Sequence, residues 1–447
     1  MKGGDNDLFG YSMVQMVRAH ANKLERPLRE ELLNLYRPFK WTPCFLHKFF
    51  EGAIKKTKRF SVIIEFKKGC YDTGCQEVEG VMKQHMRNNV RYRFSRISSI
   101  SADVTPNGLE EILSGCQHIN TIYLNSEVKA LLNVAVPSAN AKHVVRSGKE
   151  LTGSGVKIAI IDTGIYQHPD LGDRITEFVD FVNNEQQAYD DNGHGTHCAG
   201  CAASASPEYT GPALAANLVG VKVLDKLGSG SLETVMRGVE WCIQFNENEN
   251  NTDKIDIISM SLGSTAQNYG TDDRDPMVQI VESAWNAGIV VCVAAGNEGP
   301  NGGTIASPGV SNEVITVGAL DDRDTVERTD DTVAEFSSRG PTIYGLEKPD
   351  LLAPGVNIVS LRSPNSYLDK LQKSRRVGND YTVLSGTSMA TPICAGICAL
   401  FKEKDPNLSP NQIKMMLIEG TDLWNDEAHN NNIYGAGYIN AENSIPQ

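Results

Sequence analysis

At 447 residues the chain has room for two or more domains and a large core. Its residues are 40% hydrophobic and 22% charged, the balance of an ordinary globular protein. A net charge of −13 argues against nucleic acid or an anionic membrane surface as the main partner, and no stretch is apolar for long enough to span a membrane.

Residues 1–58 read as a helical extension. Met13, Val14, Met16, Val17 and Leu24 give one apolar face, and Leu28, Leu32, Leu33 and Leu35 another, punctuated by Pro27, Pro38 and Pro43. No chemistry attaches to this segment. From Arg59 the pattern changes. Phe60–Phe66 predicts a strand, Glu77–Met86 a helix, Val90–Val104 a hairpin, Gly108–Ser114 a short helix and Ile119–Leu124 a last strand. That β-α-β-β-α-β order predicts a ferredoxin-like α+β domain over residues 59–132, with Glu127–Asn133 as a linker.

Residues 133–447 predict a second, larger domain. Short β-branched strands are expected at Lys157–Ile161, Leu218–Leu224, Ile255–Met260, Ile289–Ala294 and Val314–Val317. Helices are expected at Ser231–Phe245, Pro276–Asn286, Thr387–Lys402 and Ser409–Glu419. Such alternation implies an α/β fold, a mainly parallel sheet flanked by helices. The ten cysteines are scattered, several in apolar runs, and Met1–Asp7 lacks the basic and apolar pattern of a secretory signal. Free thiols in a cytoplasmic protein are therefore expected, Cys70 with Cys75 being the one pair considered for a bridge.

Three stretches of the larger domain carry chemistry. Val156 to Gly164 is a buried-type strand with Asp162 at its C-terminal end, where open α/β sheets place their sites. Asp191-Asn192-Gly193-His194-Gly195-Thr196-His197 is a glycine-rich turn opening a helix. Gly386-Thr387-Ser388-Met389-Ala390-Thr391-Pro392 is a turn of small residues running into another, and it sets Ser388 beside unpaired backbone N–H groups. Alone, Ser388 reads as a helix cap. Together the three supply a nucleophile, a proton acceptor and an orienter.

Their chain order, Asp then His then Ser, and the motifs around them resemble the active-site signatures of the subtilases, the subtilisin-like serine proteases. Ala294-Ala295-Gly296-Asn297-Glu298-Gly299 resembles the family's oxyanion segment. The resemblance is nearest to AprX-type intracellular subtilases of bacteria. It implies a serine endopeptidase acting on polypeptides through Asp162, His194 and Ser388, with Asn297 facing the oxyanion. His194 is preferred over His197 because the family places its imidazole at the first histidine. Gly228-Ser229-Gly230 and Ser261-Leu262-Gly263 resemble the two edges that pair with an extended substrate. Small apolar walls imply an apolar P1 side chain, with Glu298 at the rim. The domain at 59–132 resembles an inhibitory prodomain, an intramolecular partner removed by self-cleavage near Leu132–Asn133, ahead of Val136-Pro137. The chemistry requires no cofactor. Ser204–Thr210 stands where secreted relatives carry a calcium loop, and Asp170 lacks the usual companion ligands, so no strong calcium site is expected.

Two rival readings remain. His194, His197, Cys198 and Cys201 spell a possible zinc set, although four ligands on one contiguous helix cannot easily surround a metal. The fold could also serve as an inactive binding module, against which stands the presence of all four key side chains. Gly153-Ser154-Gly155 precedes its strand, whereas phosphate-binding glycines follow one.

Overall fold

The computed structural model describes residues 12–35, 47–95, 98–124, 132–251, 253–423 and 429–447. The chain divides into two compact units, Met1–Lys129 and Ala130–Gln447.

In the first unit, helices α1 (Ser12–Ala19), α2 (Arg26–Asn34) and α3 (His47–Thr57) precede the sheet. Strand β1 (Phe60–Phe66) alternates buried and half-buried residues, as a strand with one covered face must. Then come α4 (Tyr71–Met82), β2 (Asn89–Phe94), β3 (Ser99–Val104), α5 (Pro106–Gly115) and β4 (Ile119–Leu124). The sheet order is β2-β3-β1-β4, antiparallel throughout. Helix α5 starts where its sequence says it should. Thr105 accepts the Gly108 N–H at 3.2 Å, and Pro106 occupies the first turn. Helix α4 begins six residues before the expected Glu77, because Gly74 and Cys75 are buried with Val78 and Met82 on one face that polar neighbours disguise.

The N-terminal helices are part of this unit's core. Met13, Met16, Val17, Leu28 and Leu32 share one cluster with Val62, Ile64, Ile100 and Ile112. Leu24 bridges Ile122, whose N–H donates to the Lys23 carbonyl at 2.8 Å.

The second unit opens with α6 (Leu132–Ser138), whose Ala135 and Val136 lie in its core. Val136-Pro137, expected at the start of a mature domain, is inside this helix. A small hairpin, β5 (Val145–Arg146) with β6 (Lys149–Glu150), leads to β7 (Lys157–Asp162), every residue of which is buried. The chain continues through β8 (Ile175–Asp180), α7 (His194–Ala203), β9 (Asn217–Lys222), α8 (Leu232–Glu247), β10 (Ile257–Met260), α9 (Pro276–Asn286), β11 (Val290–Ala294), β12 (Ile315–Asp321), β13 (Thr332–Val333) and β14 (Leu351–Pro354). These strands form one sheet in the order β13-β12-β11-β10-β7-β9-β8, with β14 also on β12. All pairings are parallel except β12 with β13. The continuous apolar runs of β7, β10 and β11 follow from burial on both faces. Strand β8 escapes the sequence pattern because it is an edge, with Thr176 and Glu177 exposed.

A second, antiparallel sheet comprises β15 (Ile358–Leu361), β16 (Arg376–Val377) and β17 (Tyr381–Leu384), with α10 (Tyr367–Leu371) between the first two. Helix α11 (Thr387–Lys404) follows and packs against α7, β11 and β12, buried along almost its whole length. Truncating one of its core side chains, such as Ile397→Ala, is expected to cost about 2–5 kcal/mol. Helix α12 (Pro410–Glu419) carries a reciprocal capping box between Ser409 and Gln412. No helix among the described residues is long and apolar enough to cross a membrane. The nine cysteines there are all free, including Cys70 and Cys75.

Candidate active site

Strand β7 lies between β9 and β10, so the chain runs to opposite sides of it and a crevice opens at its C-terminal end. Asp162 stands there, fully buried, with one oxygen accepting the Thr163 N–H at 2.7 Å. Helix α7 begins beside it with His194. The turn before it needs Gly193, which sits at φ 104, and Gly195, where a Cβ would lie 2.2 Å from the Gly164 carbonyl oxygen. With nothing at position 195, the helix closes on the strand, and His194 Nδ1 meets the Asp162 carboxylate at 2.8 and 3.0 Å. Burial disfavours the charged imidazolium, but Asp162 more than offsets this and raises His194 well above its ordinary pKa.

A second acid holds the turn. Asp190, also buried, accepts from the N–H groups of Asn192, Gly193 and Thr196 and from the hydroxyls of Thr163 and Thr196. Behind it the buried Lys222 ammonium donates to Asp191 at 2.8 Å and to the carbonyls of Thr163 and Leu224. Neither Asp190 nor Lys222 stands out in the sequence. A carboxylate four residues before a helix-opening histidine is the signal that points to the first.

Ser388 is the second residue of α11, so its N–H has no acceptor within the helix. Its hydroxyl donates to the Ser261 carbonyl at 3.2 Å, and the Ser261 hydroxyl donates to the Ser388 carbonyl at 2.8 Å. Asn297 is exposed on the turn after β11, and its orientation is set by Thr387. The Thr387 N–H and hydroxyl both donate to Asn297 Oδ1, at 3.0 and 3.1 Å. A backbone N–H can only donate, so the atom facing it is the oxygen, and the amide nitrogen is the end left to donate outward.

His197 has another task. Its Nε2 donates to the carbonyls of Ile358 and Thr382 at 3.0 and 3.2 Å, and the Cys201 thiol lies 3.6 Å from Nδ1. Burial and the neighbouring His194 depress its pKa to about 3, so it stays neutral and joins α7 to the second sheet. The four residues of the zinc reading therefore do not converge. His194 pairs with Cys198, His197 with Cys201, and the ligand clusters among the described residues do not unite them.

One groove of about 990 Å³ collects the rest. His194, Asn297 and Ser388 line it, together with Gly228, Ser229, Gly230, Ser261, Leu262 and Gly263. Glu298, Ile305 and Ala306 line it too. Away from the groove, Asp170 accepts the Tyr381 hydroxyl at 2.7 Å, and that hydroxyl meets Ser206 at 3.0 Å, so the acid and the Ser204–Thr210 segment are engaged with protein groups.

Comparison with known proteins identifies the family. The model of the subtilase family matches residues 153–437. The serine protease AprX of Bacillus subtilis (strain 168) is 61% identical over 443 residues, covering 98% of this chain and all of the relative. A thermostable alkaline protease of Halalkalibacterium halodurans is 33% identical over 394 residues, 87% of this chain and 92% of that one. Among solved structures, a cold adapted subtilisin-like serine proteinase superposes with a TM-score of 0.51 at 28% identity, over 69% of this chain and 97% of the other.

Proposed function

The chain belongs to the subtilase family and is a serine endopeptidase, and from that premise we propose that Asp162, His194 and Ser388 cleave peptide bonds through an acyl-enzyme. The observation that carries the reading is the meeting of Asp162 with His194 Nδ1 at one end of a groove that Ser388 and Asn297 share. The Ser388 hydroxyl turns from Ser261 to His194, which takes its proton as the oxygen attacks the substrate carbonyl. His194 then returns the proton to the leaving amine, while Asp162 holds the tautomer and stabilises the imidazolium. The amide of Asn297 and the N–H of Ser388 meet the charge that gathers on the carbonyl oxygen.

The substrate lies extended along Gly228–Gly230 and Ser261–Gly263, paired through its main chain, so many sequences are accepted. Leu262, Ile305 and Ala306 favour an apolar P1 side chain. No cofactor takes part. A cytoplasmic location fits nine described cysteines left as free thiols.

The first unit acts as an inhibitory prodomain released by self-cleavage. A peptide enters a protease extended, whereas Leu132 and Asn133 open α6 and the next residues are core. The cut is therefore assigned to the N-terminal side of α6. Of the apolar tail Val128–Asn133, read as extended and suited to occupy the cleft, residues 128–131 lie outside the described residues, and Leu132 and Asn133 are helical. A sulfonyl fluoride should label Ser388 stoichiometrically and abolish processing. Wild-type enzyme that keeps its N-terminus while fully active would sink the zymogen reading and leave the triad standing.

A further inference from the structure

Outside the groove lining, one buried acid has no partner among the described residues. Asp331 is 5% exposed, and neither of its carboxylate oxygens has a hydrogen-bond partner among the described residues. It closes the loop that leaves β12 and re-enters the sheet at β13. The last registered pair of that antiparallel ladder is Asp321 opposite Thr332. Asp322 and Asp331 are the next residues beyond that last pair, and the charge of Asp331 is felt at Asp322. Asp322 is 2% exposed, and among the described residues its oxygens accept only from the Asp324 N–H at 3.2 Å and the Ser138 hydroxyl at 3.4 Å.

Like charges opposite each other on paired strands repel, and a buried carboxylate without a counter-charge is costly. Segment 321–331 carries six acids and only two arginines. Both arginines are committed. Arg323 pairs with Asp321 at 3.2 Å and donates to the Thr332 hydroxyl at 2.9 Å. Arg328 bonds Asp422 and the Ser138 carbonyl, and lies 4.0 Å over the Tyr438 ring. Both arginines lie near enough to act on the Asp331 charge, but neither hydrogen-bonds its carboxylate, whose two oxygens are left without a donor among the described residues.

We propose that the neck of this loop binds a calcium ion, with the two free oxygens of Asp331 and a carboxylate oxygen of Asp322 as its anionic ligands. The donors are all oxygen, which selects a hard cation. Calcium accepts bidentate carboxylates, backbone carbonyls and water in irregular geometry at six to eight positions, whereas magnesium demands a near-ideal octahedron. The Ser138 hydroxyl on Asp322 belongs to α6 and is itself held by the Tyr438 hydroxyl at 2.7 Å. A bound ion thus ties the loop to the opening helix of the second unit and stabilises its folded state logarithmically with calcium concentration above the Kd.

The full-length Ser388→Ala protein, stripped with a calcium chelator, serves for the test because it cannot digest itself. Calcium is titrated by calorimetry, and hydrogen exchange reads where amides gain protection. Saturable binding is expected, with protection in 322–333 and a melting temperature that rises with calcium concentration. Asp331→Asn and Asp322→Asn should each weaken binding by about a hundredfold or more, since affinity follows ligand charge count. Without calcium, Asp331→Asn should melt no lower than its parent, because a repelling charge is removed and no contact is lost. The site is overturned by absence of binding, by protection confined to other segments, by variants that bind as tightly as the parent, or by an Asp331→Asn protein that melts lower in chelator. The parent's exchange map decides the matter even if neither variant folds.

Discussion

Asp190 and Asp331 are equally buried, each at 5% exposure, yet their surroundings are opposite. Asp190 stands before α7 and accepts five hydrogen bonds from backbone N–H groups and hydroxyls. Asp331 stands at a strand end and accepts none among the described residues. A buried carboxylate near a helix N-terminus meets several N–H groups that would otherwise lack partners, so the chain satisfies it internally. A carboxylate at the neck of a hairpin loop has no such supply and lies among other acids. The first kind holds the turn that opens α7. The second leaves a place for a cation.

The largest effect should come from within the catalytic corner. Ser388→Ala is expected to lower turnover by about 10⁶, the scale measured for triad members in a subtilisin, without loss of melting temperature. A variant retaining a tenth of wild-type turnover would move the nucleophile elsewhere. Asn297→Ala should cost about 10²–10³ in turnover, again a value known for a subtilisin, with little change in KM. Thr387→Val, which removes one of the two donors on Asn297 Oδ1, should lose less than Asn297→Ala.

Asp190→Ala tests the comparison directly. It should destabilise the protein by about 2–5 kcal/mol, from several donors orphaned at about 1–3 kcal/mol each. Denaturant unfolding in the Ser388→Ala background would measure it. An Asp190 variant as harmless as Asp331→Asn would erase the distinction between the two acids.

The pH dependence sharpens the picture of the corner. The base must be neutral to accept a proton, and Asp162 holds the His194 pKa well above 6.5. Activity should therefore fall as pH drops, with the midpoint of the acid limb above pH 6.5 and a limiting slope of about tenfold per unit. Linkage runs the other way. Because the folded pKa is raised, the pair's contribution to stability is complete below 6.5 and is lost as pH rises through the folded value. The smallest effect on activity is expected for His197→Asn, whose amide can still donate to Ile358 or Thr382. Its loss of activity matching that of His194→Asn would transfer the base to His197.

Much of the site was legible because its motifs are local. Asp162, His194 and Ser388 each sit at the end of an element that the sequence itself announces, and small residues around them mark close approach. The parallel strands β7, β10 and β11 were legible for the same reason, since burial on both faces leaves an unbroken β-branched run. Strand β8 was not, because an edge strand with exposed Thr176 and Glu177 has no such run. Nor was the start of α4, where Gly74 and Cys75 form part of the buried face.

What the tertiary structure alone decided are relations between distant residues. Sequence names Asn297 as an amide donor, but Thr387, ninety positions away, determines which end of that amide points outward. Sequence offers His194 and His197 as equals on one helix, and the residue resemblance chose between them. The physical distinction comes from Asp162 on one side and the Ile358 and Thr382 carbonyls on the other. Residues 1–58 read as an extension because an amphipathic helix does not declare its partner. Asp190 and Asp331 are the same letter in the chain, and only the fold surrounds one with donors and leaves the other without any among the described residues.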